Sequence, residues 1–283
     1  MAKKGLDAYK SLPTFNEYEK LLEISDAVFI YSSSKYHYDQ IEQALLNGKH
    51  VLCESPLTLN IAQWKELKSL AKEKGLVLMD SIKTAYSTAY CRLLLMVKSG
   101  IIGDVVSVDS ICTSMSNLRM SKAENFPYIW NSISEWGATA LLPIFQLMGT
   151  DYTEKTITTR IQPDTEDFDL FTKIAFIYPK GVASMKIGQG VKSEGELIIS
   201  GTEGYVYVPA PWWKTDYFEV RYENPSHNKR YFYQLEGEGI RYELVSFVKS
   251  IQRGKAYDYI DDQISEAIVQ VFQDFSNHKF KLI

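Results

Sequence analysis

A glutamate and a lysine follow two of the predicted strands at the points where those strands end. Glu54 closes the apolar run His50 to Cys53, and Lys83 follows the run Leu76 to Met79. The carboxyl ends of parallel strands meet at one crevice of an open α/β sheet, so both side chains should face that crevice. A lysine in such a place could lower a neighbouring pKa and relay a proton. Lys83 could equally be an ordinary solvated loop lysine.

The turn after Glu54 contains Ser55 and Pro56. Glu54 and Pro56 either border a pocket, or Pro56 only fixes a cis or tight turn after the strand. Several aromatic side chains either stack on the C–H face of a sugar ring or fill cores and subunit contacts. They are Tyr86, Tyr90, Tyr128, Trp212 and Trp213.

Other catalytic arrangements are not found in the sequence. The four histidines, His37, His50, His227 and His278, lack metal-ligand spacing with cysteines or carboxylates, so no metal site is predicted. Neither Gly-x-Ser-x-Gly nor a P-loop occurs. These observations argue against hydrolase and kinase chemistry.

The first part of the chain, residues 1–104, alternates short apolar runs with amphipathic helical patterns. This alternation is typical of βαβ units around a parallel sheet, and we interpret the part as a Rossmann-like dinucleotide-binding domain. No Gly-x-Gly-x-x-Gly turn precedes Ala27, so the first strand and the phosphate-binding turn are predicted to be missing. The predicted strands are Ala27 to Ile30, His50 to Cys53 and Leu76 to Met79, and the predicted helices are Phe15 to Ile24, Tyr38 to Asn47, Ile61 to Lys74 and Tyr86 to Ser99.

The second part, residues 105–283, is predicted to be an α+β domain for substrate binding and oligomerisation. It contains a mostly antiparallel sheet with the helix Ile133 to Met148 packed on one face, and the closing helices Gly239 to Arg253 and Asp262 to Phe275 could pack back on the first domain. The predicted strands are Val105 to Cys112, Lys155 to Ile161, Phe168 to Tyr178, Val182 to Gln189, Glu196 to Ser200, Tyr205 to Val208, Tyr217 to Tyr222 and Arg230 to Gln234.

The uncovered face of this sheet is predicted to carry a broad apolar patch. A soluble monomer rarely exposes such a patch, so we expect a homodimer or higher homo-oligomer with an isologous contact on that face. The residues expected there are Phe171, Ile174, Phe176, Met185, Ile187, Tyr205, Tyr207, Phe218 and Val220.

Composition limits the possible partners and compartments. The 283 residues carry a net charge of −4 with interleaved lysines and acids, so nucleic acid and anionic membranes are not expected as partners. Cys53, Cys91 and Cys112 lie in apolar contexts without CxxC spacing, which fits a reducing cytoplasm. No export signal or membrane anchor is predicted.

Five short motifs together resemble one enzyme family. They are Asp26-Ala-Val-Phe-Ile, Ser33-Ser34 with His37, Gly48-Lys-His-Val-Leu-Cys-Glu-x-Pro, Gly100-Ile-Ile-Gly-Asp-Val and Gly201-Thr-Glu-Gly. The combination is similar to the glucose-fructose oxidoreductase, inositol dehydrogenase and rhizopine-catabolism (Gfo/Idh/MocA) family. This resemblance implies an NAD- or NADP-dependent oxidoreductase of sugars, polyols or related metabolites. It also implies oligomers that form through the open face of the second sheet.

The resemblance implies a set of site residues. Tyr31, Ser32, Ser33, His37, Glu54 and Pro56 are the candidates for cofactor binding, although the serines could instead cap the helix that follows them. Ser55 stands where the family has a lysine, and its neutral hydroxyl can only form hydrogen bonds. Glu135 matches the first acid of the family's catalytic helix, Thr139 replaces its histidine or tyrosine, and Leu142 replaces its second acid. Lys83 is the candidate for a relocated lysine, which completes the catalytic set Ser55, Lys83, Glu135 and Thr139.

Two hypotheses follow from these departures. The first is a sugar-related oxidoreductase that transfers a hydride to or from the nicotinamide. The second is a degenerate relative that keeps the fold as a binding or assembly module, for example as a partner subunit. The missing phosphate-binding turn predicts impaired cofactor binding, and the altered residues predict impaired catalysis.

Overall fold

The computed structural model describes residues 13–115, 131–163, 165, 167–236, 239–254 and 259–283. The first sheet is parallel, with the strands in the order β1-β2-β3. Its strands are β1 (Ala27–Ile30), β2 (His50–Glu54) and β3 (Leu78–Ser81), and its helices are α1 (Tyr18–Glu23), α2 (His37–Leu46) and α3 (Ile61–Glu73). The predicted βαβ pattern is confirmed, and only the ends of the elements move by a few residues.

Local signals explain where the elements of this part begin and end. The Asn60 side chain accepts hydrogen bonds from the backbone N–H groups of Ala62 and Gln63, which caps the start of α3. Gly48 and Gly75 follow α2 and α3 with φ of 72° and 65°, a left-handed conformation that favours glycine. These turns return the chain directly into β2 and β3.

The second sheet has nine strands in the order β11-β10-β9-β8-β4-β7-β6-β5-β12. Most neighbours are antiparallel, but β4 pairs with β7 and β5 pairs with β12 in parallel. The strands are β4 (Val105–Thr113), β5 (Glu154–Ile161), β6 (Asp169–Tyr178), β7 (Gly181–Gly188), β8 (Leu197–Gly201), β9 (Tyr205–Val208), β10 (Tyr217–Arg221), β11 (Lys229–Phe232) and β12 (Lys281–Leu282).

The described residues also form four further α-helices: α4 (Thr88–Lys98), α5 (Ser132–Met148), α6 (Ile240–Arg253) and α7 (Asp262–Ser276). Helix α5 covers one face of the second sheet, and α7 packs beside it. A Cβ atom added to Gly137 would lie 2.9 Å from the Phe272 ring, so the glycine allows α5 and α7 to approach closely. Helix α7 also reaches the first sheet, because Val269 is buried in the core beneath β1 and β2.

The prediction of which side chains occupy the open sheet face is wrong. Ile174, Phe176, Met185, Ile187, Phe218 and Val220 are all buried, because this face is the one that α5 and its neighbours cover. Alternation along a strand identifies the residues that share a face, but it does not say which face receives the helix. Tyr205 and Tyr207 do lie on the opposite face, where Arg221 stacks against both rings.

The outer face that remains is mixed in character. Asp109 on β4 accepts one hydrogen bond from the hydroxyl of Ser107 on the same strand (2.9 Å) and another from Ser184 on the neighbouring strand β7 (2.6 Å). Exposed apolar side chains such as Ile177 and Val182 lie among these polar groups. This face therefore offers less apolar surface for an oligomer contact than the sequence predicts.

Candidate functional site

A cavity of about 410 Å³ lies at the carboxyl ends of the three parallel strands. Each strand supplies lining residues as it ends, and α5, α6 and the 3-10 helices Lys83–Tyr86 and Trp212–Lys214 close the other walls. The lining comprises Phe29, Tyr31, Glu54, Ser81, Ile82, Lys83, Thr84, Glu135, Trp136, Thr139, Trp213, Lys214, Ile240 and Glu243. The structure thus brings together five of the predicted site residues: Tyr31, Glu54, Lys83, Glu135 and Thr139.

Lys83 is electrostatically coupled to two carboxyl groups in this cavity. Burial raises the pKa of Glu54 to about 7, and the Lys83 ammonium opposes that rise. Loss of surrounding water also raises the pKa of Glu135, and Lys83 again acts in the opposite direction. Lys83 is half-buried, which is not the position of a fully solvated loop lysine. The site therefore holds a cation beside a carboxyl group whose pKa lies near neutral pH.

Two tryptophans form an aromatic part of the wall. The rings of Trp136 on α5 and Trp213 lie with their centroids 4.8 Å apart at an angle of 54°. Trp136 Nε1 is buried and has no hydrogen-bond partner among the residues that the structure describes. Tyr31, 68% exposed, lines the same cavity. Such surfaces suit the C–H face of a sugar ring or the flat face of a nicotinamide.

Ser55 does not line the cavity. It is buried, and its hydroxyl donates a hydrogen bond to Asp80 Oδ1 (3.1 Å). Asp80 Oδ2 accepts a second bond from Ser265 on α7 (2.6 Å), and Trp64 Nε1 donates to that same Ser265 hydroxyl (2.9 Å). Burial raises the pKa of Asp80. Ser55 thus contributes to a buried polar network between the first sheet and α7.

Three of the candidate cofactor residues form contacts within the protein instead. The ring nitrogens of His37 lie 2.8 Å from the Pro56 carbonyl and 3.0 Å from the Ser32 carbonyl, and burial lowers the pKa of this histidine. The Ser32 hydroxyl donates to Gln40 (2.6 Å). Pro56 is buried after a cis peptide bond, as one of the two interpretations predicted. His37 therefore joins the turns after β1 and β2.

Ser33 is half-buried at the N-cap position of the short helix Ser34–Tyr36, but its side chain forms no capping hydrogen bond. The capping interpretation is therefore wrong for Ser33, because its backbone occupies the cap position while the hydroxyl is not used for it. Tyr86, Tyr90 and Trp212 are buried, whereas Tyr128 lies outside the described residues.

Sequence reasoning missed Trp136 and Glu243. Glu243 is buried on α6, where its Oε2 accepts a hydrogen bond from Ser81 (3.1 Å) at the end of β3. Its only signal in the sequence is a charged residue on the apolar side of an amphipathic helix. Trp136 lies next to Glu135, so the catalytic-helix motif could have drawn attention to it.

Residues 3–81 match the family model described as an oxidoreductase family with an NAD-binding Rossmann fold. The chain is 25% identical over 250 residues to a trans-1,2-dihydrobenzene-1,2-diol dehydrogenase from Bos taurus, an alignment that covers 85% of this chain and 73% of that protein. Residues 3–81 thus match the Gfo/Idh/MocA oxidoreductase family, and the similarity to the Bos taurus dehydrogenase extends over most of the chain. Another relative is a dTDP-3,4-didehydro-2,6-dideoxy-alpha-D-glucose 3-reductase from Streptomyces violaceoruber. It is 40% identical over 98 residues, which are 34% of this chain and 29% of the relative.

Solved structures share the Gfo/Idh/MocA fold over nearly the whole chain. KijD10, a 3-ketoreductase from Actinomadura kijaniata solved with NADP and TDP-benzene, superposes with a TM-score of 0.81 at 18% identity, covering 100% of this chain and 87% of that one. A UDP-N-acetylglucosamine 3-dehydrogenase from Acidithiobacillus ferrooxidans gives 0.76 at 16% identity, covering 97% and 86%. Both sheets are therefore those of the Gfo/Idh/MocA fold.

The cavity residues fit one end of the NAD(P) that the Gfo/Idh/MocA family implies. Tyr31 and Glu54 line the sheet edge where a nicotinamide could lie, and Ser33 lies in the turn after β1. The part of the chain that the structure describes shows no glycine-rich turn for the pyrophosphate. Within these same residues, no group of three His, Cys, Asp or Glu side chains could hold a metal ion, and no helix is long and apolar enough to cross a membrane.

Proposed function

We propose that this chain is a nicotinamide-dependent oxidoreductase that acts on a sugar-related alcohol or ketone in the cavity around Lys83. The observation that carries the proposal is the placement of Lys83 in one cavity with Glu54 and Glu135 at the carboxyl edge of the parallel sheet. The dihydrodiol dehydrogenase and nucleotide-sugar reductase relatives support this class of substrate.

The proposed chemistry uses the chain's own groups for proton transfer. A bound nicotinamide supplies the hydride acceptor or donor. Glu54, with a pKa of about 7, can accept the proton of a substrate hydroxyl and return it to a ketone oxygen near neutral pH. The Lys83 ammonium stabilises the negative charge that develops on that oxygen. Lys83 would thus act where Ser55 cannot, since the Ser55 hydroxyl is neutral and directed to Asp80.

The remaining cavity walls would orient the substrate. Trp136 and Trp213 offer aromatic faces to the apolar side of a sugar ring. Thr139, half-buried on α5, can form a hydrogen bond to a substrate hydroxyl but cannot replace an ionisable histidine or tyrosine. Because Thr139 cannot ionise as a histidine or tyrosine does, we propose slow turnover. Because residues 1–283 contain no Gly-x-Gly-x-x-Gly turn, we also propose that they bind the cofactor weakly.

The test is initial-rate kinetics at millimolar NADH and NADPH with sugars, polyols and nucleotide-sugar ketones. Lys83→Met should reduce kcat/KM by about 100-fold, because removing a charged group that acts on the reacting oxygen costs roughly 3 kcal/mol of transition-state stabilisation. Lys72→Met, on the exposed face of α3, is the matched control and should keep wild-type rates. Equal rates for Lys83→Met and wild type would refute the assignment of Lys83.

A second candidate function is the degenerate module. It is favoured by Thr139 and Leu142, which cannot form the proton relay of the family's catalytic helix. Ser55→Lys alone should then fail to produce turnover, because the relay would still be incomplete. A folded chain that binds sugar-related ligands but shows no turnover with either cofactor would support this candidate over the enzyme.

A further inference from the structure

A second and larger cavity, of about 760 Å³, lies between α4 and α6. Its volume is in the range of ordinary ligand pockets. Four basic side chains line it: Arg92 on α4, and Arg241, Lys249 and Arg253 on α6. Among the lining residues that the structure describes, one carboxylate, Glu236, accompanies them and pairs with Arg241. These described lining residues therefore carry an excess of positive charge in a protein whose overall charge is negative.

The cations of α6 are placed at regular intervals on one face. Arg241, Val245, Lys249 and Arg253 follow one another every four residues, so they lie along a single side of the helix that faces the cavity. Among the residues that the structure describes, Arg92 and Lys249 make no ion pair. A bound anion would supply a negative charge to these two side chains.

Part of the cavity wall is apolar and accessible. Leu95 on α4 is 63% exposed, Val245 on α6 is 46% exposed, and Tyr259 is 49% exposed. Large exposed apolar side chains grouped in a concave surface are typical of ligand sites. The Tyr259 ring lies edge-on to Tyr86, with centroids 5.3 Å apart. The cavity thus combines guanidinium groups with a surface on which a ring can pack.

The two cavities share structural elements. The 3-10 helix Lys83–Tyr86 places Lys83 in the first cavity and Tyr86 in the second. Helix α6 likewise directs Glu243 into the first and Lys249 into the second. The second cavity therefore has its own lining residues but shares two wall elements with the candidate active site.

We propose that this second cavity binds a small phosphate-bearing molecule that also carries a flat ring. Arginine guanidinium groups bind phosphate oxygens in a bidentate manner, and lysine contributes a point charge. Arg92 and Lys249 would hold the phosphate, while Tyr259 and Leu95 pack against the ring. Nucleoside monophosphates and other aromatic phosphates share this chemistry.

Isothermal calorimetry with AMP tests the proposal at a salt concentration of about 150 mM, where non-specific attraction is screened. AMP should bind with a Kd below about 1 mM, and adenosine and inorganic phosphate should each bind at least about tenfold more weakly, since each offers only half of the recognised chemistry. The exposed pair Arg92→Gln with Lys249→Gln should weaken AMP binding by roughly tenfold or more.

Two controls locate the ligand. Lys72→Gln on the outside of α3 and Lys214→Gln in the first cavity should both leave the AMP affinity unchanged. The proposal fails if AMP shows no binding up to about 5 mM. It also fails if the Arg92→Gln and Lys249→Gln double variant binds AMP as wild type does, or if only Lys214→Gln abolishes binding.

Discussion

Replacement of Glu54 by glutamine should make the protein more stable at alkaline pH. Burial raises the pKa of Glu54 from 4.5 to about 7, so the folded state holds this proton more tightly than the unfolded chain does. A carboxyl group whose pKa is higher in the folded state stabilises that state fully at pH values below its pKa in the unfolded chain. This stabilisation is lost as the pH rises through its pKa in the folded state. At 1.36 kcal/mol per pKa unit, the wild type should lose about 2.5 kcal/mol through this group between pH 5 and pH 8.

The glutamine variant resembles the protonated form and does not titrate. Urea unfolding of both proteins at pH 5 and pH 8 should therefore show similar free energies of unfolding at pH 5, with Glu54→Gln more stable at pH 8. Glu73→Gln, exposed at the end of α3, is the control for removing a surface carboxylate. Lys83→Met should move the pH-dependent loss of unfolding free energy to higher pH than in the wild type, because it removes the cation that lowers the pKa of Glu54. A difference between wild type and Glu54→Gln that does not change with pH would refute the reasoning.

Three further predictions concern the fold and the cofactor. Ser265→Ala should lower the free energy of unfolding by about 2–4 kcal/mol, because buried Asp80 and Trp64 each lose a hydrogen-bond partner. Urea unfolding measures this, and a midpoint shift as small as that of the exposed control Ser69→Ala would contradict it. Gly201→Ala should lower the melting temperature, because a Cβ there would lie 2.2 Å from the Ile102 carbonyl oxygen and overpacking typically costs about 1–3 kcal/mol; an unchanged melting temperature would show that the two segments separate freely. Calorimetric titration of NADPH into residues 1–283 should give a Kd above about 100 µM, because each missing N–H contact of a phosphate-binding turn is worth about 1 kcal/mol. A micromolar Kd would mean that another part of the chain binds the pyrophosphate.

The sequence predicted the elements of this fold well because its local signals agree. Alternating apolar runs and the glycines at 48 and 75 predicted the strands and helices of the first part to within a few residues. The strand Lys281–Leu282 was missed, since two residues carry no periodic pattern and its pairing with β5 depends on the path of the whole chain. Most of the apolar residues predicted for the open face of the second sheet lie on its covered face, because burial of a face depends on where α5 packs.

The candidate site was predictable where topology alone decides position. Glu54 ends β2 and Lys83 comes shortly after β3, so the order of these parallel strands places both residues at the same edge of the sheet. The orientation of the Ser55 side chain was not predictable. Its hydrogen-bond partner Asp80 is 25 residues away in the sequence and comes close only when β2 and β3 pair. Glu243 accepts a hydrogen bond from Ser81, 162 residues away in the sequence, and no local sequence pattern predicts this contact.

The packing of α7 against the first sheet has a consequence for how the chain acquires its structure. Trp64 bonds to Ser265 across 201 residues, and Val269 fills the core beneath β1 and β2. Contacts that span so much sequence are slow to form, because the loop they close must first be ordered. During synthesis, the core of the parallel sheet is therefore complete only after α7 has left the ribosome. We therefore expect ribosome-bound chains that stop before α7 to remain sensitive to protease in residues 13–81, and to gain resistance only after residue 269 has emerged.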